Sequence, residues 1–130
     1  MSDAHEFELV IANPEGVVFE GPVVQLLLRS AGGDIAFLAG HGPYVGEVEV
    51  CLAVVQSADG TSGQVVVDGG VVRAGGNRVI VLAKDAELSS SIEQESLRRR
   101  RERYESRLQE LDDVTAEAEL RGLELRGALL

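Results

Sequence analysis

Aromatic side chains make up only 4% of this 130-residue chain, and cysteine occurs once. With so few rings, a core has to be built from aliphatic side chains, and the stacking platforms on which single-stranded bases are read are missing. Cys51 has no cysteine partner, so no internal disulfide forms; its place in the alternating run Glu47 to Val55 reads as that of a strand residue. The two histidines, His5 and His41, do not make a metal site, and His41 reads as a turn residue with a local hydrogen bond. No hydrophobic run approaches the roughly 20 residues of a membrane-spanning helix, because Glu, Arg and Gly interrupt each one. The stretch Met1 to Glu8 contains no Lys or Arg and fits neither a secretory signal nor a transit peptide, so a bacterial cytoplasmic location is expected. The glycine-rich stretches match neither a dinucleotide fingerprint nor a phosphate loop, and no nucleophile elbow occurs. No catalytic residue and no cofactor are expected.

What the chain does have is apolar residues, 45% of the total, enough for one modest core with an appendage. It also has a surplus of acid, with a net charge of −10 that repels nucleic acid and anionic lipid at long range. The charge is uneven: residues 1–88 hold 4 basic and 12 acidic side chains, whereas residues 89–130 hold 8 and 10. A boundary near Ser89 follows, with domains at 1–88 and 89–130. Beyond it Arg98, Arg99, Arg100, Arg101, Arg103 and Arg107 crowd into ten residues that contain only Glu102 and Glu105 as acids. Such runs are commonly solvated helix faces, and this one is equally a candidate contact surface.

Before the boundary, short runs of Val, Ile and Leu alternate with turn sequences, the pattern of strands. Alternation places Phe7, Leu9 and Ile11 on one face, and likewise Val48, Val50, Leu52 and Val54. Val23 to Leu28, Val65 to Val67 and Val79 to Leu82 are more continuously apolar and read as strands between two packed sheets. Asn13-Pro14-Glu15-Gly16, Ala31-Gly32-Gly33, Asp59-Gly60, Asp68-Gly69-Gly70 and Gly75-Gly76-Asn77 supply turns. Eight to ten short strands in an antiparallel β-sandwich are expected.

After the boundary, Glu, Arg, Leu, Ala and Gln predominate, all good helix formers. Ser91 with Gln94 fits a capping box, which predicts a helix from there to about Leu111. Leu97, Tyr104, Leu108 and Leu111 form a narrow stripe, and Ala116, Leu120, Leu123 and Gly127 form a matching seam on a second helix after the N-cap candidate Asp112-Asp113. The pair reads as an antiparallel hairpin. Gly122 and Gly127 each weaken the second helix by about 0.8 to 1 kcal/mol relative to Ala. The hairpin is therefore expected to depend on docking and to exchange between docked and free positions.

The order of segments resembles the epsilon subunit of F-type ATP synthases, an α+β layout of a sandwich of about ten strands followed by a helical hairpin. Phe19-Glu20-Gly21-Pro22-Val23 is similar to that family's F-x-G-x-V hairpin, and Gly33 to Pro43, reading GDIAFLAGHGP, to its G-E-L-G-I-L-P-G-H-x-P loop. Val67 to Val72 resembles the family's S-G-G-x-x-x-V corner, and Asn77 to Glu87, NRVIVLAKDAE, the strand leading into the hairpin. The match spans residues 7–110.

The resemblance implies a non-catalytic rotor subunit. The sandwich would bind the gamma subunit and the ring of c subunits, on the cytoplasmic side of the bacterial membrane and attached to it only through the complex. Asp34 would face polar loops of the c ring, with Gly40, His41 and Pro43 shaping the neighbouring turn. The arginine face would meet acidic loops of the beta subunits in the head of alpha and beta subunits and brake ATP hydrolysis. Two departures bear on this. Ala36 and Ala39 stand where the family usually has Gly and Pro. The I-D-x-x-R-A motif through which some relatives bind ATP reads Ile92-Glu93-Gln94-Glu95-Ser96-Leu97, so only the acid Glu93 survives and ATP binding is not expected. The alternative reading is a free-standing acidic sandwich that binds partners through a basic hairpin.

Overall fold

In the computed structural model, which describes residues 5–130, alternation sets in at the first strand. Met1 to Ala4, counted above with the strand-rich segment, lie outside the described residues. In β1 (Phe7–Asn13) the side chains of Phe7, Leu9 and Ile11 are buried, as alternation predicts. Asn13 Oδ1 accepts from the Glu15 amide at 2.9 Å and folds the chain back into β2 (Gly16–Val23). The run Val23 to Leu28, expected to be one strand, breaks at Val24. The Val24 amide turns to the carbonyl of Gln56 at 2.8 Å, and β3 (Gln25–Ser30) starts beside different neighbours. Then follow β4 (Gly33–Leu38), β5 (Tyr44–Gln56), β6 (Ser62–Gly75), β7 (Arg78–Ala83) and β8 (Ala86–Leu88).

The strands form one continuous sheet in the order β2-β1-β7-β6-β5-β3-β4, with β8 also on β6. It doubles over into two layers because β5 and β6, 13 and 14 residues long, serve both. One half of β6, Gly70–Gly75, pairs with β7, and the other half, at Val65–Val67, pairs with β8. Among the described residues there are thus eight continuous strands, within the eight to ten expected and not the full ten, two of them contributing to each layer in turn. The sheet is not wholly antiparallel either: β1 and β7 run parallel, since the chain crosses to the other layer for β3 and β4 before β6 and β7 return it beside β1.

The fold turns at a corner in the two long strands. Val48 pairs with Gly70 and Val50 with Asp68, but Glu49 and Gly69 between them have no partner in the ladder. Gly69 at φ 92° and Gly70 at φ 153° adopt backbone angles that disfavour a side chain. A Cβ on Gly70 would lie 2.1 Å from the Leu82 carbonyl oxygen. This irregularity overturns one expectation. The core face of β5 is Val48 and then Cys51, Ala53 and Val55, with Val50, Leu52 and Val54 on the opposite side, because the strand changes face at the corner. Burial pushes the Cys51 thiol pKa up, in keeping with an unreactive strand residue.

After Leu88 the chain enters a 3-10 turn at Ser89–Ser91. The first helix, α1 (Gln94–Arg107), starts later than expected, because Ile92 is still extended and buries its side chain. The capping box is therefore Glu93 with Ser96, not Ser91 with Gln94: the Ser96 hydroxyl accepts from the Glu93 amide at 3.3 Å. A 3-10 turn at Leu108–Glu110 follows, and then α2 (Asp113–Leu129), N-capped as expected by Asp112, whose Oδ1 accepts from the Thr115 amide at 2.7 Å. The helices are antiparallel, since Gly127 lies against Leu97 and Arg101 while Glu119 pairs with Arg107. The seams are only partly as expected. Leu97 and Leu123 are buried, but Leu108 and Leu120 are 44% and 43% exposed. The 3-10 turn rotates Leu108 off the stripe, and α2 turns Gly122, Leu123 and Arg126 inward instead of Leu120.

Gly70→Ala should destabilise the sheet by about 3 kcal/mol, from strain and collision together, in a denaturant titration. Gly75→Ala, where a Cβ meets nothing within 4 Å, should stay within about 0.5 kcal/mol. The Thr115 amide bond holds the Asp112 carboxyl below its usual pKa of 3.8. Its contribution to α2 is therefore complete above that value and lost as pH falls through the depressed one. Helical circular dichroism should decline on that acid limb, and Asp112→Asn, an equally good cap that does not titrate, should flatten it.

Candidate functional site

Asp34 lies in β4, not in a loop, close to the turn that links β3 and β4. Its carboxylate stands 3.6 Å from Arg29, which also lies 3.7 Å from Glu49; the Asp34 side chain is 80% exposed. An ion pair so open to water contributes little and leaves Asp34 available. Gly40, His41 and Pro43 lie beyond the other end of β4. Asp34 and Leu38 alone are about 13 Å apart at 3.3 Å per residue, so one patch does not bring all four together.

At that far end Gly40, at φ 80°, turns the chain, and its amide reaches Asn77 Oδ1 at 3.5 Å. The Asn77 side chain in turn donates to the Glu6 carbonyl at 2.9 Å, joining this loop to the β6–β7 turn and the start of β1. His41 packs edge-on against Phe7 and Phe37, with ring centroids 5.5 and 6.0 Å apart. Its Nδ1 lies 3.4 Å from the Gly42 carbonyl, the local contact expected of a turn histidine. Pro43 is exposed.

The six arginines of α1 do not form one face. Arg98 pairs with Glu95 and Glu102 on its own helix. Arg107 reaches across to Glu119 of α2 at 3.2 Å. Arg100 points into the molecule, where it meets Asp85 at 2.5 Å and Glu87 at 3.4 Å. Arg103 lines a cleft of about 310 Å³ between hairpin and sheet. Arg99 and Arg101 are exposed, and among the described residues neither they nor Arg103 makes an ion pair. Glu93 is occupied in starting α1, and the Ser96 hydroxyl donates to the Glu93 carbonyl at 3.0 Å.

The residue that sequence reasoning missed is Arg126. Its side chain is 2% exposed, and it binds Asp68 through both terminal nitrogens at 3.0 and 2.6 Å and Glu87 through Nε at 2.8 Å. Burial pushes the guanidinium pKa down, but the hydrogen bonds and charges of Asp68 and Glu87 outweigh it, so the group stays protonated. Bidentate, desolvated pairing of this kind is the strong form of an ion pair. The only local signal was a lone Arg in an otherwise apolar C-terminal turn of α2, on the face shared with Gly122 and Leu123. Around it the hairpin covers the outer side of β5 and β6: Val66, which points away from the Val65 and Val67 side chains in the core, is wholly buried there.

Residues 6–89 match the family model for the ATP synthase Delta/Epsilon chain, beta-sandwich domain. The chain is 34% identical to the ATP synthase epsilon chain of Moorella thermoacetica, the match covering 87% of each chain. It is also 34% identical to that of Halalkalibacterium halodurans, covering 91% of this chain and 88% of the relative. Among solved structures, a chain of the Euglena gracilis mitochondrial ATP synthase aligns over 96% of this chain and 82% of its own length, with a TM-score of 0.71 at 23% identity, a likeness of fold.

Replacing Arg126 with Ala strands the Asp68 and Glu87 carboxylates beneath α2. Docking of the hairpin should weaken by about 3 to 5 kcal/mol, read as faster limited proteolysis within α2. Arg99→Ala should change it by less than about 0.5 kcal/mol.

Proposed function

The chain belongs to the ATP synthase epsilon-chain family and is a non-catalytic subunit of that enzyme's central stalk, and from this premise we propose that it grips the rotor with its sandwich and regulates hydrolysis with its hairpin. In this reading residues 1–88 bind the gamma subunit and the c-subunit ring on the cytoplasmic side of a bacterial membrane, transmitting proton-driven rotation to the head of alpha and beta subunits. The separation along β4 suits two neighbours. Asp34, exposed at one end, meets polar loops of the c ring. Gly40, His41 and Pro43, on a loop stiffened by aromatic packing, meet gamma.

One observation carries the regulatory half. Leu97 is the only buried residue of α1, and α2 buries only Gly122, Leu123 and Arg126. An appendage with so little apolar burial is held largely by ion pairs and can leave its seat at modest cost. Once extended, it would bring Arg99, Arg101 and Arg103, with Arg98, Arg100 and Arg107 released from their partners, against acidic loops of the beta subunits. Complementary charge gives such a contact register more than affinity.

In membranes bearing the assembled enzyme, Arg99→Glu, Arg101→Glu and Arg103→Glu together should raise ATP hydrolysis severalfold while gamma still co-purifies with the chain. Unchanged hydrolysis would remove the brake from this reading, and loss of gamma in the unaltered complex would remove the grip.

A further inference from the structure

Gly122, which has no side chain, leaves room for the pair between Asp68 and Arg126. Gly122 sits on α2 one turn before Arg126, buried against the sheet, and its carbonyl accepts from Arg126 Nη1 at 3.2 Å. A Cβ built there would lie 2.2 Å from Asp68 Oδ1 and 3.1 Å from Arg126 Nη1. The carboxylate occupies the volume that any other residue would fill. A glycine in the interior of a helix costs about 0.8 to 1 kcal/mol relative to Ala, so local preference opposes its presence and the tertiary contact favours it.

The first helix, α1, contributes to the same seat. Glu87 Oε1 is shared between Arg126 Nε at 2.8 Å and Arg100 Nε at 3.4 Å, and Arg100 also pairs with Asp85. Each helix thus sends one guanidinium into a triad of carboxylates, Asp68, Asp85 and Glu87, carried by β6, β8 and the turn before β8. Neither guanidinium can be there and against an acidic partner at once.

We infer that Gly122 is a keyhole, and that the Asp68–Arg126 pair it admits is a catch, needing no bound ligand, that decides whether the hairpin's two inner arginines are available to a partner. The availability rests on the movement of the hairpin proposed above; the keyhole does not. A catch made within the chain sets the docked population by the balance between one desolvated pair and its competitors. No bound nucleotide is needed to hold the hairpin down.

The test is amide hydrogen exchange of α2 in the isolated full-length chain, with β1 and β7 amides as the check on the sandwich. Gly122→Ala should lower protection of α2 tenfold or more, and Asp68→Ala should do the same. Combined with Asp68→Ala, the Gly122→Ala change should reverse sign and raise protection about fivefold, because the Arg126 guanidinium, freed from Asp68, can give way and the helix preference of alanine then prevails. If Gly122→Ala raises protection in the unaltered chain too, the keyhole is overturned; if Asp68→Ala leaves α2 protection unchanged, the catch is. No gamma subunit or membrane enters this experiment, so either result is separate from the fate of the stalk assignment.

Discussion

The break in the β5–β6 ladder at Glu49 and Gly69 is the constraint from which the rest of the molecule follows. There the two long strands bend from one layer to the other, and their pairs on either side enclose the aliphatic core. Gly70 lets β6 pass against the backbone of Leu82, where no side chain fits. At the same corner the Asp68 amide donates to the Asp85 carbonyl at 2.9 Å, and the Lys84 amide to that of Gly69, also at 2.9 Å. The hydrogen bonds that close the corner thus also gather Asp68, Asp85 and Glu87 into one acidic seat. A single irregularity makes both the core and the place where the hairpin rests.

The two halves of the chain are held by different physics. The sandwich buries a contiguous, mainly aliphatic cluster to which all its strands contribute, its outer faces staying wet except where the hairpin covers β5 and β6, and such burial is insensitive to small changes of charge. The hairpin buries few apolar side chains and depends on Arg126 and Arg100 finding carboxylates. Desolvated ion pairs are all-or-nothing: formed with full geometry they hold, and with one partner displaced they repel the docked state. That asymmetry suits the proposed rigid grip with a detachable arm.

Much of this was legible in residues alone. The strand-rich segment and its turns, the change to helix near Ser89, the cap at Asp112 and the family motifs between Phe19 and Glu87 are all local patterns. Alternation correctly placed Phe7, Leu9 and Ile11 inward. It failed in β5, where the inward set shifts from Val48 to Cys51, because a strict period of two cannot anticipate a bulge whose cause lies on the neighbouring strand. Closeness in sequence likewise misled for the arginine run: the six crowd into ten residues, whereas the partners of Arg98, Arg100 and Arg107, namely Glu95, Glu102, Asp85, Glu87 and Glu119, lie on several elements.

By itself the sequence determined element types, their order and the family, since propensity, turn chemistry and motif spacing act over a few residues and need no distant contact. Only the tertiary structure decided where Asp34 stands relative to His41, which of the arginines face inward, and that Gly122, which lowers the helix propensity of its own segment, is the residue that lets Asp68 reach Arg126. The last of these depends on groups 58 positions apart in the chain sharing one volume. Space of that kind is allotted by packing, and no local pattern of side chains records it.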